Sequence, residues 1–209
     1  MKRSTVLNLR NIKLFDFLRN NKILTLLCLC FSFGVIIGTI SFSSSKTVFE
    51  FAKQWLERFY YSRNDATVGS IILSSASTSM LFLIAVFISG TSALGIMLVP
   101  LTVFLDGFID GSFSALLYSE YQLKGIAFNA ILVIPPLIIF LIGFIYASQE
   151  SLNFSWAVAR LTLPRSSPSV LFPYFKNYCT RYALILLVVL FSAICDAFVS
   201  KFFLPFFQI

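Results

Sequence analysis

The chain has 209 residues, 58% of them hydrophobic and only 12% charged. Soluble domains carry about a quarter charged residues, and here the apolar residues cluster into runs long enough to cross a bilayer. The net charge of +7 sits mainly beside those runs, which fits the positive-inside rule and anionic lipid headgroups, and no nucleic-acid partner is expected. The sequence holds no histidine, so schemes that use imidazole as base or metal ligand are excluded. Its four cysteines, Cys28, Cys30, Cys179 and Cys195, include no C-x-x-C pair. They read as small apolar fillers, and neither a metal nor a cofactor is expected.

In chain order, residues 1–22 form a basic cytoplasmic segment. Leu7, Leu14 and Leu18 are spaced along it as in a short surface helix. The first span is predicted at 23–42, close to the ~20 residues that ~30 Å of hydrocarbon requires. Its distance from the N-terminus and its lack of a small-residue cleavage site argue against a cleaved signal peptide. Gly34 and Gly38 lie four apart within it. Gly107 and Gly111 repeat the pattern further on, and each pair lets backbones approach closely, within the bundle or at a dimer interface.

After span one, residues 47–61 read as an amphipathic extracytoplasmic helix. Val48, Phe51, Ala52, Trp55, Leu56 and Phe59 follow the spacing of one helix face. Thr47 with Glu50 forms a capping-box pattern, and Tyr60 and Tyr61 suit a headgroup boundary. Two readings stay open: an in-plane helix lying on the leaflet or packed on the bundle, or a docking face for an extracytoplasmic partner.

The second span is predicted at 71–89, opening with serines and threonines that can bond back to helix carbonyls. The third is predicted at 94–118 and the fourth at 126–147, where Pro135 and Pro136 should kink the helix. A cytoplasmic linker at 149–181 mixes a helical stretch with turn-rich Pro164, Ser166, Ser167, Pro168 and Pro173. The fifth span is predicted at 182–198. The fold class is therefore all-α: a polytopic transmembrane helical bundle of about five spans, with 23–209 as one domain.

Ten of the 16 basic residues fall in the cytoplasmic segments if the N-terminus lies inside, against six outside. That balance predicts a multi-pass cell-membrane protein with a cytoplasmic N-terminus and an extracytoplasmic C-terminus.

Three aspartates lie within the spans. A charge in hydrocarbon costs at least ~2.5 kcal/mol, so each needs a partner, water or a function. Asp106 and Asp110 share a face of span three. At ~1.5 Å per residue they sit about 18 and 24 Å from the inner end, and Asp196 about 21 Å up span five. One reading pairs these acids with Lys124, Lys201 or Arg63 near the headgroups. The other makes them a functional polar cluster for a partner helix or an ion. No metal-ligand set, phosphate loop or nucleophile elbow appears, so no catalytic residue is assigned and no enzyme is expected.

Several stretches together resemble the stage II sporulation protein M family of five-span membrane proteins. These are Phe17 to Lys22 with Phe33 to Ile40, then Phe104 to Gly111, Lys124-Gly125-Ile126, Ile134-Pro135, and Ile194 to Ser200. Asp196 preserves the family's acidic position, whereas Asp106 stands where a lysine is usual and Lys201 where a terminal proline would be. Pro136-Leu137 replaces a polar pair, and Phe140 takes a position where some members carry glutamate. The resemblance implies a non-enzymatic membrane scaffold. The family's sporulation member holds a peptidoglycan amidase and a lytic transglycosylase at the septal membrane during engulfment. The alternative is a membrane subunit of a transporter or exporter, working with an ATP-binding subunit and using the intramembrane aspartates.

Overall fold

The computed structural model describes residues 21–63, 66–161 and 171–206. The expected surface helix around Leu7, Leu14 and Leu18 and the Pro164–Pro168 turn lie outside the described residues. The elements are α1 (Lys22–Ser44), α2 (Lys46–Tyr61), α3 (Val68–Gly90), α4 (Gly95–Phe128), α5 (Ile134–Leu161) and α6 (Leu171–Phe203). A π-helical turn, Asn129–Val133, joins α4 to α5, and a 3-10 turn, Leu204–Phe206, follows α6. Among the described residues every regular element is helical, as expected from runs of Leu, Ile and Phe without strand alternation.

Four helical stretches among the described residues are long and apolar enough to cross a membrane: Lys22–Ser44, Val68–Gly90, Gly95–Arg160 and Pro173–Phe206. A straight helix through the third would be about 100 Å long, roughly three times the hydrocarbon thickness. The chain instead folds back at Gln122, whose φ of 46° and ψ of −122° are not helical. Those angles match the first central position of a type II′ turn, which ordinarily carries glycine. Beyond it the backbone at Gly125 approaches the Leu117 carbonyl, and Asn129 Nδ2 donates to Ser114 Oγ at 3.1 Å. Two antiparallel arms result, with one residue as the break in place of the loop predicted between 118 and 126.

Two apolar cores mark the ends of the bundle. The near core, where α1 begins, holds Leu27, Leu83, Val86, Val103, Phe144 and Val189. The far core, where α1 finishes, holds Phe42, Leu56, Phe113, Phe128, Leu132 and Leu204. α3 starts beside Lys201 at the far end and reaches the near core with Leu83 and Val86, and the other long arms contribute to both cores in sequence order, so the described residues pass five times along the bundle in alternating directions. α1, the first arm of α4, and α6 all run from near to far.

The ends of the elements depart from expectation in three places. Helix α5 continues to Leu161 and α6 starts at Leu171, so Pro173 lies in a helical first turn where its missing N–H costs nothing. At the start of α2 the N-cap is Ser45, with no side-chain cap bond, so Thr47 and Glu50 form no capping box. Pro135 and Pro136 follow directly on the π-helical turn. Both prolines lack the N–H that would bond back to residues 131 and 132, and the wider turn absorbs that loss.

The closest packing is between α1 and α4. A methyl group added to Gly34 would collide with the Phe104 carbonyl oxygen, and one on Gly38 with that of Phe108. Reciprocally, Gly107 lies against the Phe31 carbonyl and Gly111 against that of Val35. Both glycine pairs thus belong to one parallel crossing within the bundle. Two hydroxyls bridge it: Thr39 Oγ1 donates to the Gly111 carbonyl and Ser112 Oγ to the Gly38 carbonyl, both at 3.3 Å. The opposite side of α1 presents exposed Leu26, Leu29, Phe33, Ile36 and Ile40, a surface suited to acyl chains.

Overpacking a tight contact costs about 1–3 kcal/mol. Gly34→Ala is expected to lower the melting temperature of the detergent-solubilised protein accordingly. Gly69→Ala, where nothing lies within 4 Å of the added carbon, is expected to leave it unchanged.

Candidate functional site: a polar layer between two apolar cores

Along α4 the inward positions read Val99, Val103, Asp106, Asp110, Phe113 and Leu117. The valines join the near core, and Phe113 and Leu117 the far core. The acids fall between. Along α6 and the turn that follows it the same change occurs, with Val189 in the near core, Leu204 in the far core, and Ser192, Asp196 and Ser200 buried between them. Opposite Ser192 lies the Pro136 carbonyl, which accepts its hydroxyl at 2.7 Å. On α1 this level is occupied by Gly34 and Gly38. A polar stratum thus crosses the bundle between its two hydrophobic ends.

The three aspartates differ in their partners. Asp196 Oδ2 accepts from Arg63 Nη2 at 2.5 Å, with both side chains buried. Ser200 Oγ donates to the other oxygen, Oδ1, at 3.3 Å, and Arg63 Nε donates to Ser200 Oγ at 3.2 Å. The guanidinium also lies 3.6 Å from the centre of the Phe59 ring and donates to the Phe59 carbonyl and Ser62 Oγ. A buried arginine needs this many partners to replace its water. Of the three cations considered for the acids, Arg63 is the one that pairs with Asp196. Lys201 Nζ donates to the Ala66 carbonyl instead, at 3.2 Å.

Asp106 and Asp110 stand apart from that network. The Oδ2 atom of each is buried and receives no hydrogen bond. Ser114 and Tyr118 continue their stripe at the same four-residue spacing, and Asn129 Nδ2 donates to both, at 3.1 and 2.6 Å. The polar stripe 106, 110, 114, 118 is a signal that the sequence carries and that sequence reasoning passed over. Nor was the hydroxyl cluster at the near end anticipated. Ser151 Oγ lies 3.0 Å from Tyr178 OH and 2.6 Å from Tyr182 OH, while Tyr178 OH donates to the Phe87 carbonyl at 3.0 Å. It ties α3, α5 and α6 together and leaves those tyrosine hydroxyls satisfied.

Arg63 also fixes α2. Ala52 and Leu56 are buried in the far core, with Val48, Trp55 and Phe59 packed beside them. Phe51 departs from expectation: it is 43% exposed, and Phe49 takes its place against the core, its ring 5.5 Å from that of Phe42. The buried face is centred on Ala52 and Leu56, which leaves Phe51 on the flank. Among the described residues no group of three His, Cys, Asp or Glu side chains is placed to hold a metal ion.

Apolar helices of crossing length, a satisfied ion pair inside them and an outward surface of Leu, Ile and Phe define a multi-pass helical membrane protein. Within that class, the stage II sporulation protein M family profile matches residues 27–201, and the chain belongs to that family. No curated protein and no solved structure gives a match.

Breaking a buried ion pair from one side costs about 3–5 kcal/mol, because the other charge is stranded. Arg63→Ala is expected to lower thermal stability in detergent by that order. Adding Asp196→Asn should restore part of the loss, read out as a coupling energy in a double-mutant cycle.

Proposed function

We propose that the protein is a membrane scaffold that positions peptidoglycan hydrolases, an amidase and a lytic transglycosylase, at the outer face of the cell membrane. In this reading all five passes cross the lipid. The N-terminus is cytoplasmic, and the far end, which carries α2 and the end of α6, is extracytoplasmic. The observation that carries the proposal is the docked α2. A buried ion pair and the far core hold it in a fixed place on the bundle, while Glu50, Phe51, Lys53, Gln54, Glu57 and Arg58 stay exposed along it. A rigid platform with a mixed charged and aromatic outer face suits protein recruitment. Family membership adds weight, since engulfment during sporulation is the role of the family's best-known member.

A second reading, a transporter or exporter subunit, draws support from the buried carboxyls of Asp106 and Asp110. Against it, Asp196 is closed off by Arg63, which interrupts a path through all three acids.

Co-expression of the full chain with the amidase and transglycosylase of its own genome tests the first reading. Both are expected to co-purify in mild detergent, with at least about tenfold less recovered from a Phe51→Glu, Lys53→Glu variant of unchanged melting temperature, a loss of about 1.4 kcal/mol. Recovery of neither hydrolase overturns it. For the second reading, co-expression with an ATP-binding subunit is expected to give a solute flux that Asp106→Asn with Asp110→Asn abolishes. A flux insensitive to both substitutions excludes it.

A further inference from the structure

The unexplained part of the polar layer is the Asp106–Asp110 pair. Asp106 is 5% exposed, and its carboxyl sits one helical turn from that of Asp110 on the inward face of α4. Neither Oδ2 receives a hydrogen bond, and among the described residues the ion pairs are Arg63–Asp196 and Arg181–Glu150. Arg63, the cation of this layer, is committed elsewhere. The returning arm adds a separate observation. Asn129, 3% exposed, leaves its Oδ1 equally bare, while its amide nitrogen is held by Ser114 and Tyr118, the next two positions on the aspartate stripe.

Carboxylate and amide oxygens accept hydrogen bonds and donate none. The unpartnered atoms that the two helices bring to this level of the bundle are therefore all acceptors. Water supplies hydrogen bonds to such oxygens but no compensating charge, and two like charges a turn apart in an apolar interior repel strongly. We propose that Asp106 and Asp110 form a site for one small positive charge inside the bundle, taken up either as a proton or as a hard monovalent cation such as sodium. An all-oxygen set with two acids and a neutral amide nearby suits such a ligand, and offers no soft donor for a transition metal. The site is independent of the scaffold reading and holds whether or not a hydrolase binds.

Two measurements on the full chain in detergent test it. Infrared difference spectra report whether a protonated-carboxyl C=O band is present at neutral pH. Melting curves in sodium chloride and in choline chloride, at equal ionic strength, report cation binding as stabilisation. A protonated-carboxyl band that disappears in the Asp106→Asn, Asp110→Asn variant supports the site with a proton as ligand. A sodium-specific rise in melting temperature that the same variant loses supports it with a cation. If the double variant does not fold, each single variant provides the same readout. Two ionised carboxylates at neutral pH, with melting indifferent to sodium, overturn the proposal.

Discussion

The parallel crossing of α1 on α4 is the constraint on which the rest of the bundle depends. Four glycines bring two backbones together until each lies against carbonyl oxygens of the other. In lipid, where burial of apolar surface gives no drive for association, such van der Waals contact and its bridging hydroxyls supply the attraction. Because both helices run the same way, the chain between them must return along the bundle. Helix α3 makes that return, and α2 is left at the far end with no crossing to make. The position of α2 thus follows from a crossing in which it takes no part.

The same crossing sets the level of the polar layer. Gly107 and Gly111 face α1, while Asp106 and Asp110, each one residue earlier, turn toward the interior. One segment of α4 therefore serves two purposes on two faces. The acids of this layer meet different fates. Asp196 is neutralised by Arg63 and held by Ser200, a structural arrangement with every strong group answered. Asp106 is buried in the same layer without an ion pair among the described residues.

Much of the architecture is legible in the sequence because lipid permits few solutions. Apolar runs of crossing length place the helices, and the paired glycines announce close contact. What glycine cannot announce is its partner: nothing in Gly34 or Gly38 names Gly107 and Gly111. The rise per residue puts the acids at a common height, yet height says nothing of azimuth. Sequence alone therefore leaves Arg63 as one of three cations, and only the fold, which brings the segment just past α2 beside α6, selects it. The reversal at Gln122 is hidden for a different reason. Helix-forming residues flank it on both sides, and glutamine there adopts a backbone geometry that its type does not favour. Phe51 and Phe49 exchange roles because a helical wheel gives the width of an apolar face but not the direction from which the bundle meets it.

The Arg63–Asp196 pair also has a temporal side. A ribosome makes residue 63 long before residue 196, and until the helix that carries Asp196 enters the membrane that guanidinium lacks its partner. Its charge must stay in water or among headgroups for the whole interval. Until the C-terminal segment has been threaded, the second helix is held by its apolar face alone, and the ion pair that fixes its end is the last contact to close.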